Sequence, residues 1–242
     1  MSSAVSPVKP LNIWTEQDFA EHSGVPRGTL SDFSQWYGLL RKWNARINLV
    51  ASKEVEQFWR RHAYDSWQLN AYLPERWDRL VDLGSGGGFP GLSLGIFSKL
   101  RGFEKGPKDI SEFGKGEVHL VESVGKKTSF LKTVSRELDL PVTVHSARIE
   151  ALPPMEADIV TARAFAPLTR LFDYAAPHLT PTSVLILPKG ESADKEIKQA
   201  SIHWHFDVEA YKSATDPAAS ILRVVNLRRR RADTEPNKAT SE

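Results

Sequence analysis

Apolar residues in the first third of the chain recur at helical spacing. Phe33, Trp36, Tyr37 and Leu40 share one stripe, and Trp43 and Ile47 continue it. Thr29 or Ser31 stands where a side chain caps such a helix. A second helix is predicted over about residues 55–73, closed by Pro74. The stretch from Trp14 to Leu73 reads as helical, and residues 1–12 read as a flexible leader. Beyond it, short apolar runs alternate with helical stretches. Strands are predicted at 79–84, 117–123, 141–148, 157–165 and 183–190, with helices opening near Pro90, Lys126, Leu168 and Ser192. Such alternation implies a parallel sheet wrapped by helices. Two alternating runs at 204–213 and 220–229, joined by the turn-rich ATDPAA, predict an antiparallel hairpin at the sheet edge. The expected architecture is a doubly wound α/β sheet of seven strands, the last antiparallel, behind a helical cap at 13–75. The sheet domain is expected at 76–228, with an inserted loop at 98–116 and a disordered tail at 229–242.

Composition narrows the chemistry. No cysteine occurs in the 242 residues, which excludes disulfides, thiolate catalysis and cysteine-bound zinc. The net charge of +2 is mild, so any contact with a polyanion depends on how the cations are distributed. The opening MSSAVSPVKP lacks the charged and apolar regions of a signal peptide, and no apolar run approaches the length of a membrane span. The expectation is a soluble cytoplasmic monomer with no membrane and no metal. HWH at 203–205 offers two histidines but no third ligand.

One stretch stands out: LVDLGSGGGFPGLSLG, residues 80–95, carries six glycines between a strand and a helix. Glycine at the carboxyl end of a first strand lets backbone touch a ligand and lets the turn take positive φ. Two patterns overlap here. Asp82-x-Gly84-x-Gly86-x-Gly88 matches the loop of class I methyltransferases, where backbone approaches the amino-acid part of S-adenosylmethionine. Gly86-x-Gly88-x-x-Gly91 also matches a dinucleotide fingerprint. Pro90 argues against the dinucleotide, because it removes a backbone N–H where a pyrophosphate needs one. Asp82 is placed to orient the loop or to meet the ligand's ammonium through water. Glu122, ending VHLVES, is the acid that would accept the ribose hydroxyls, thirty-one residues after Gly91 because of the 98–116 insertion.

The ordered set VDLGSGGGFPG, VESVGKKTSFL, HSARIEAL, VTARAFAPL and LPKG, with NLVAS and RHAYDS in the leading helices, resembles the bacterial glucose-inhibited division protein B family. That family comprises the small-subunit ribosomal RNA 7-methylguanosine methyltransferases G. The resemblance covers about Leu40 to Arg228. It implies S-adenosylmethionine as cofactor and 16S ribosomal RNA, naked or in the assembled small subunit, as partner. Carried over by position, Gly84 and Phe89 would border the methionine moiety and Glu122 would hold the ribose. Ile149 and Glu150 would flank the adenine, and Arg163 would face the same cleft.

Lys126, Lys127, Arg148, Arg163 and Lys189 then lie near the ligand edge of successive strands, where RNA phosphates need cations. Guanine offers O6 beside N7, a pair that arginine or lysine reads. Arg163 or Arg148 is expected at O6, with Lys189 the third candidate for the catalytic set. His62 and Asp65, three apart on one helix face, read as a polar pair packing the cap against the cleft. Two rivals stay open from the residues alone. One is a nicotinamide-dependent oxidoreductase on the same sheet. The other is a non-enzymatic RNA-binding assembly factor.

Overall fold

The computed structural model describes residues 13–105 and 113–230. The leader, most of the polar tail and the middle of the expected insertion lie outside the described residues. The cap opens with α1 (Glu16–Ser23), whose end carries a reciprocal capping box. The Thr15 hydroxyl accepts the Asp18 N–H at 3.2 Å, and the Asp18 carboxylate accepts the Thr15 N–H at 2.6 Å. Helix α2 (Arg27–Asn44) starts earlier than the expected Thr29 or Ser31 cap. Pro26 holds the preceding backbone extended at φ −61° and ψ 157°, so the helix begins directly after it and Thr29 is buried in its first turn.

The second predicted helix is helical in content but not continuous. It runs as an α turn (Ser52–Val55), a π-helical stretch (Phe58–Tyr64), an α turn (Asp65–Trp67) and a 3-10 turn (Gln68–Tyr72). Within the π stretch the Asp65 N–H donates to the Arg60 carbonyl, five residues back. Phe58, Trp59, His62, Ala63 and Ser66 are all buried, a stripe that the wider turn brings to one side.

Beyond the cap lie β1 (Arg79–Leu83), α3 (Gly91–Lys105), β2 (Glu117–Glu122), α4 (Gly125–Glu137), β3 (Val142–Ser146) and β4 (Ala157–Thr161). They are followed by α5 (Leu168–Ala175), β5 (Leu179–Lys189), α6 (Ala193–Ala200), β6 (Trp204–Lys212) and β7 (Ser220–Arg229). The sheet order is β3-β2-β1-β4-β5-β7-β6. Strands β1 to β5 pair in parallel, and β7 lies antiparallel between β5 and β6. The chain reverses its winding between β1 and β4, so a crevice opens at their carboxyl ends. Strand alternation feeds two cores. Leu80, Leu120 and Ile159 join α3, α4 and the cap in one. Val81, Val121 and Val160 join α5 and α6 in the other.

Two boundaries differ from expectation. The 98–116 segment is helical to Lys105, because its start is anchored: Lys99 pairs with Asp32 at 3.1 Å, and the buried Ser98 hydroxyl donates to the Gly116 carbonyl at 2.5 Å. The basic run after 228 does not begin a free tail. Arg229 closes β7, donates to Asp173 at 2.7 Å and lies over the Trp204 ring, and the Arg230 N–H donates to the His203 carbonyl. His203 precedes β6, while His205 lies within it.

Candidate active site

Strand β1 ends at Leu83 and the chain enters the glycine loop, with φ of +68° at Gly84, +54° at Gly86 and +96° at Gly88. The glycines are needed for different reasons. A Cβ on Gly84 would strike the Phe165 ring, on Gly88 the side chain of Leu92, and on Gly91 those of Leu120 and Asp82. At Gly86 a Cβ would meet no protein atom nearer than the Gly84 carbonyl, at 3.7 Å. Packing demands glycine at the first three. At Gly86 the protein leaves the space open.

Glu122, buried at the tip of β2, pins this loop. Its carboxylate accepts the Gly86 N–H at 3.0 Å and the Val124 N–H at 2.8 Å. A cleft of about 430 Å³ opens beside it, floored by the buried Ile149 and walled by Gly84, Arg148 and Glu150. A second cavity of about 910 Å³ lies between the cap and the β5–β7 side, lined by Arg61, His62, Asp65, Arg163, Lys189 and Thr215 among others. The two meet at Ala164–Pro167, which line both.

Arg163, just past β4, is fixed by the π-helical stretch. Its Nη1 donates to the Arg61 carbonyl at 3.1 Å and to Asp65 Oδ2 at 3.4 Å, and Nη2 donates to His62 Nδ1 at 3.1 Å. The guanidinium lies 4.9 Å over the Phe89 ring. Burial, then Arg163 and Arg61, push the His62 pKa down to about 3, so the imidazole is neutral and Nδ1 is an acceptor. Burial pulls Arg163 down too, and Asp65 opposes it. Asp65 also accepts the Thr215 hydroxyl at 2.5 Å, which ties the β6–β7 turn to the same arginine. Guanidinium carries five N–H donors and three are used here. The His62–Asp65 pair read as structural is thus what aims Arg163. Its helical spacing was visible in sequence, but its partner was not.

Several expected site residues are placed differently. Phe89 lies in neither of these two cavities. Its ring is buried between Trp36 at 4.8 Å and His62 at 4.5 Å, so it supports the loop from behind by aromatic packing. Arg148 is exposed at the smaller cleft, away from Arg163. Lys189 lines the larger cavity, but its ammonium donates to Glu196 at 2.9 Å and to the Ala166 carbonyl at 3.0 Å. Lys126 and Lys127 stand on the first turn of α4 and line neither of these two cavities. Phe165, at the junction of the cavities, was not singled out in sequence; only its neighbour Arg163 was.

Asp82 is fully buried beneath the loop, and Thr161 donates to its Oδ1 at 3.2 Å. Burial raises its pKa to about 6 against the opposing pull of Ser85, Thr161, the Gly91 backbone and the charge of Arg163. The Ser85 hydroxyl itself donates to the Asp82 backbone carbonyl, and Oδ2 has no hydrogen-bond partner among the described residues. A carboxylate raised in the folded state stabilises the fold fully below its unfolded pKa and loses that contribution as pH rises through about 6. Asp82→Asn should therefore gain on the wild type by about 2 kcal/mol between pH 4 and pH 7. Urea midpoints of both proteins at the two pH values test this, and a pH-independent difference would refute it.

The sheet order and the glycine cradle at its switch point define a class I methyltransferase fold. Solved structures share it. A SAM dependent methyltransferase from Aquifex aeolicus matches with a TM-score of 0.52 at 13% identity, over 77% of this chain and 98% of that one. M. jannaschii TYW2 in complex with AdoMet matches with a TM-score of 0.50 at 16% identity, over 76% of this chain and 80% of that one. At these identities the likeness shows the fold alone. The family model GidB, described as rRNA small subunit methyltransferase G, matches residues 29–221, and the chain belongs to that family. A ribosomal RNA small subunit methyltransferase G from Cereibacter sphaeroides is 44% identical over 212 residues, 87% of this chain and 97% of the relative. Another from Rhodospirillum centenum is 43% identical over 218 residues, 90% of this chain and 94% of the relative. Neither the oxidoreductase nor the non-enzymatic reading is favoured beside these matches. Among the described residues, no helix is long and apolar enough to cross a membrane, and no group of three or more His, Asp or Glu is placed to hold a metal ion.

Proposed function

We propose that this protein transfers the methyl group of S-adenosylmethionine to N7 of a guanine in 16S ribosomal RNA, with the smaller cleft holding the donor and the larger cavity the base. The observation that carries this reading is the meeting of the two cavities at the β1–β4 switch point, with Arg163 fixed in the larger cavity directly before the shared wall. The residues fit the donor. Gly84, Glu122 and Ile149 line the smaller cleft, with Glu122 at hand for the ribose and Ile149 an apolar floor. Gly86 and Gly88 line neither of these two cavities, and Gly86 is tied to the cleft through its bond to Glu122 while leaving open space for a Cβ. Glu122 keeps acceptor capacity beyond its two loop bonds.

When bound, the sulfonium supplies an electrophilic methyl carbon. Guanine N7 has an in-plane lone pair and no proton to lose, so the protein needs no general base at the reacting atom. Its work is alignment, holding nitrogen and methyl about 3 Å apart. Arg163 has two N–H donors left over from its three protein bonds, enough to contact O6 without covering N7. Arg61, exposed at the larger cavity, is a cation for the RNA backbone on that side, while Arg148, Lys126 and Lys127 serve the other. Lys189, engaged with Glu196, acts as a brace rather than at the base.

The test is direct. Purified protein, methyl-labelled S-adenosylmethionine and either assembled small subunits or naked 16S RNA are combined, and the RNA is digested and analysed by mass spectrometry. Label is expected in 7-methylguanosine. Label on an exocyclic amine, or on no nucleoside with either substrate, overturns the reading.

A further inference from the structure

We propose that Phe165 is the positioning side chain that sets the gap between methyl donor and acceptor base. The inference rests on the methyltransferase reading above. Residues Ala164–Pro167 are the wall common to both cavities, and Phe165 contributes the one large ring in that wall. Its ring sits on the Gly84 backbone so closely that a Cβ there would collide with it. Gly84 follows the tip of β1 and Arg163 follows the tip of β4. Asp82 and Thr161 just below are paired partners in adjacent strands. Phe165 therefore stands at the crossing point between the donor cradle and the arginine assigned to the base.

The ring is held there from both sides. Upstream, Arg163 is fixed by Arg61, His62 and Asp65. Downstream, the Lys189 ammonium donates to the Ala166 carbonyl, and Glu196 accepts the Leu168 N–H at 2.9 Å while pairing with Lys189. Tyr174 packs against the ring itself, with centroids 5.4 Å apart. Between these anchors Ala164 adopts φ +51°, a left-handed conformation that costs a non-glycine residue about 1–2 kcal/mol. Strain of this kind persists only where surroundings over-determine it. A half-buried flat ring, rigidly seated and facing the base cavity, offers a purine a stacking face and keeps water out of the transfer path. Removing it opens the wall and lets the base lie away from the donor. Misplacement by about 1 Å is enough to cost about a hundredfold in rate.

The experiment compares wild type, Phe165→Ala, Phe165→Leu and Phe165→Tyr. Donor affinity is measured by calorimetry with S-adenosylmethionine, and turnover on assembled small subunits. Expected are donor dissociation constants within about threefold of wild type throughout, and kcat reduced about a hundredfold in Phe165→Ala. Phe165→Leu should fall between, and Phe165→Tyr should keep turnover within about threefold of wild type, since it retains the flat face. Unchanged kcat in Phe165→Ala overturns the inference. So does a loss of donor affinity in Phe165→Ala as large as its loss of turnover, or failure of Phe165→Tyr to restore the rate. A wild type that neither binds the donor nor methylates RNA overturns the methyltransferase reading and this inference with it. An active wild type beside an unimpaired Phe165→Ala overturns this inference alone.

Discussion

Arg163→Ala abolishes methyl transfer, with kcat expected to fall by about 10²–10³, the range for removing a preorganised donor from a reacting centre. The effect is on transfer more than on donor affinity, because Arg163 lines the larger cavity and not the cleft beside Glu122. Arg163→Lys should rescue little. Three acceptors, the Arg61 carbonyl, His62 Nδ1 and Asp65 Oδ2, are arranged around a planar fork. An ammonium is a point charge that cannot serve them together and still face a base edge. The truncated variant also leaves Asp65 without its cation. Asp65→Asn should consequently depress turnover as well, and the double variant should be no worse than Arg163→Ala, since both changes disable one guanidinium. Single-turnover rates on small subunits for the four variants provide the check. Full activity in Arg163→Ala removes this side chain from the site, and additive losses would show that Asp65 acts on something else.

The sheet was legible in the sequence because β1, β2, β4 and β5 announce themselves twice, by an apolar run and by the helix that follows, and β6 and β7 by their alternation about a turn-rich link. The positions of Asp82, Gly84 and Glu122 were legible for a related reason: each lies at or just past a strand's end, and strand ends can be read from patterning. What escaped was geometry set by distant chain segments. The π-helical stretch that holds His62 and leads into Asp65 looks like ordinary helix in sequence, because one extra residue in a turn scarcely changes an apolar stripe that is already wide. Phe89 follows a ligand loop and reads as a ligand contact. Only the placement of Trp36, from a helix more than fifty residues earlier, turns its ring into the core. Lys189 fails in the same way. A lysine at the tip of a strand looks free until Glu196 is brought beside it by α6. Phe165 carried no signal in the sequence, because its place on the wall shared by two cavities is something no linear pattern contains.

Gly86→Val is expected to remove donor binding while leaving the sheet folded. A β-branched residue at φ +54° costs about 1–3 kcal/mol of backbone strain, so thermal stability should drop but not collapse. Its Cβ meets no protein atom beyond the neighbouring residues nearer than the Gly84 carbonyl at 3.7 Å, so the branch enters open space rather than packed protein. Donor affinity should weaken by at least about a hundredfold, equivalent to about 2.7 kcal/mol. Two companions separate the causes. Gly91→Ala places its Cβ against Leu120 and within 2.6 Å of Asp82 Oδ2, a collision inside the protein, and should lower stability far more than Gly86→Val does. Gly86→Asn tolerates positive φ, so it removes most of the strain yet still puts a side chain into the open space. If the space above Gly86 belongs to the donor, Gly86→Asn is folded, stable and unable to bind. Wild-type affinity for S-adenosylmethionine in that variant would mean that the bare backbone serves only the turn, and the assignment of the cradle to the donor would fall with it.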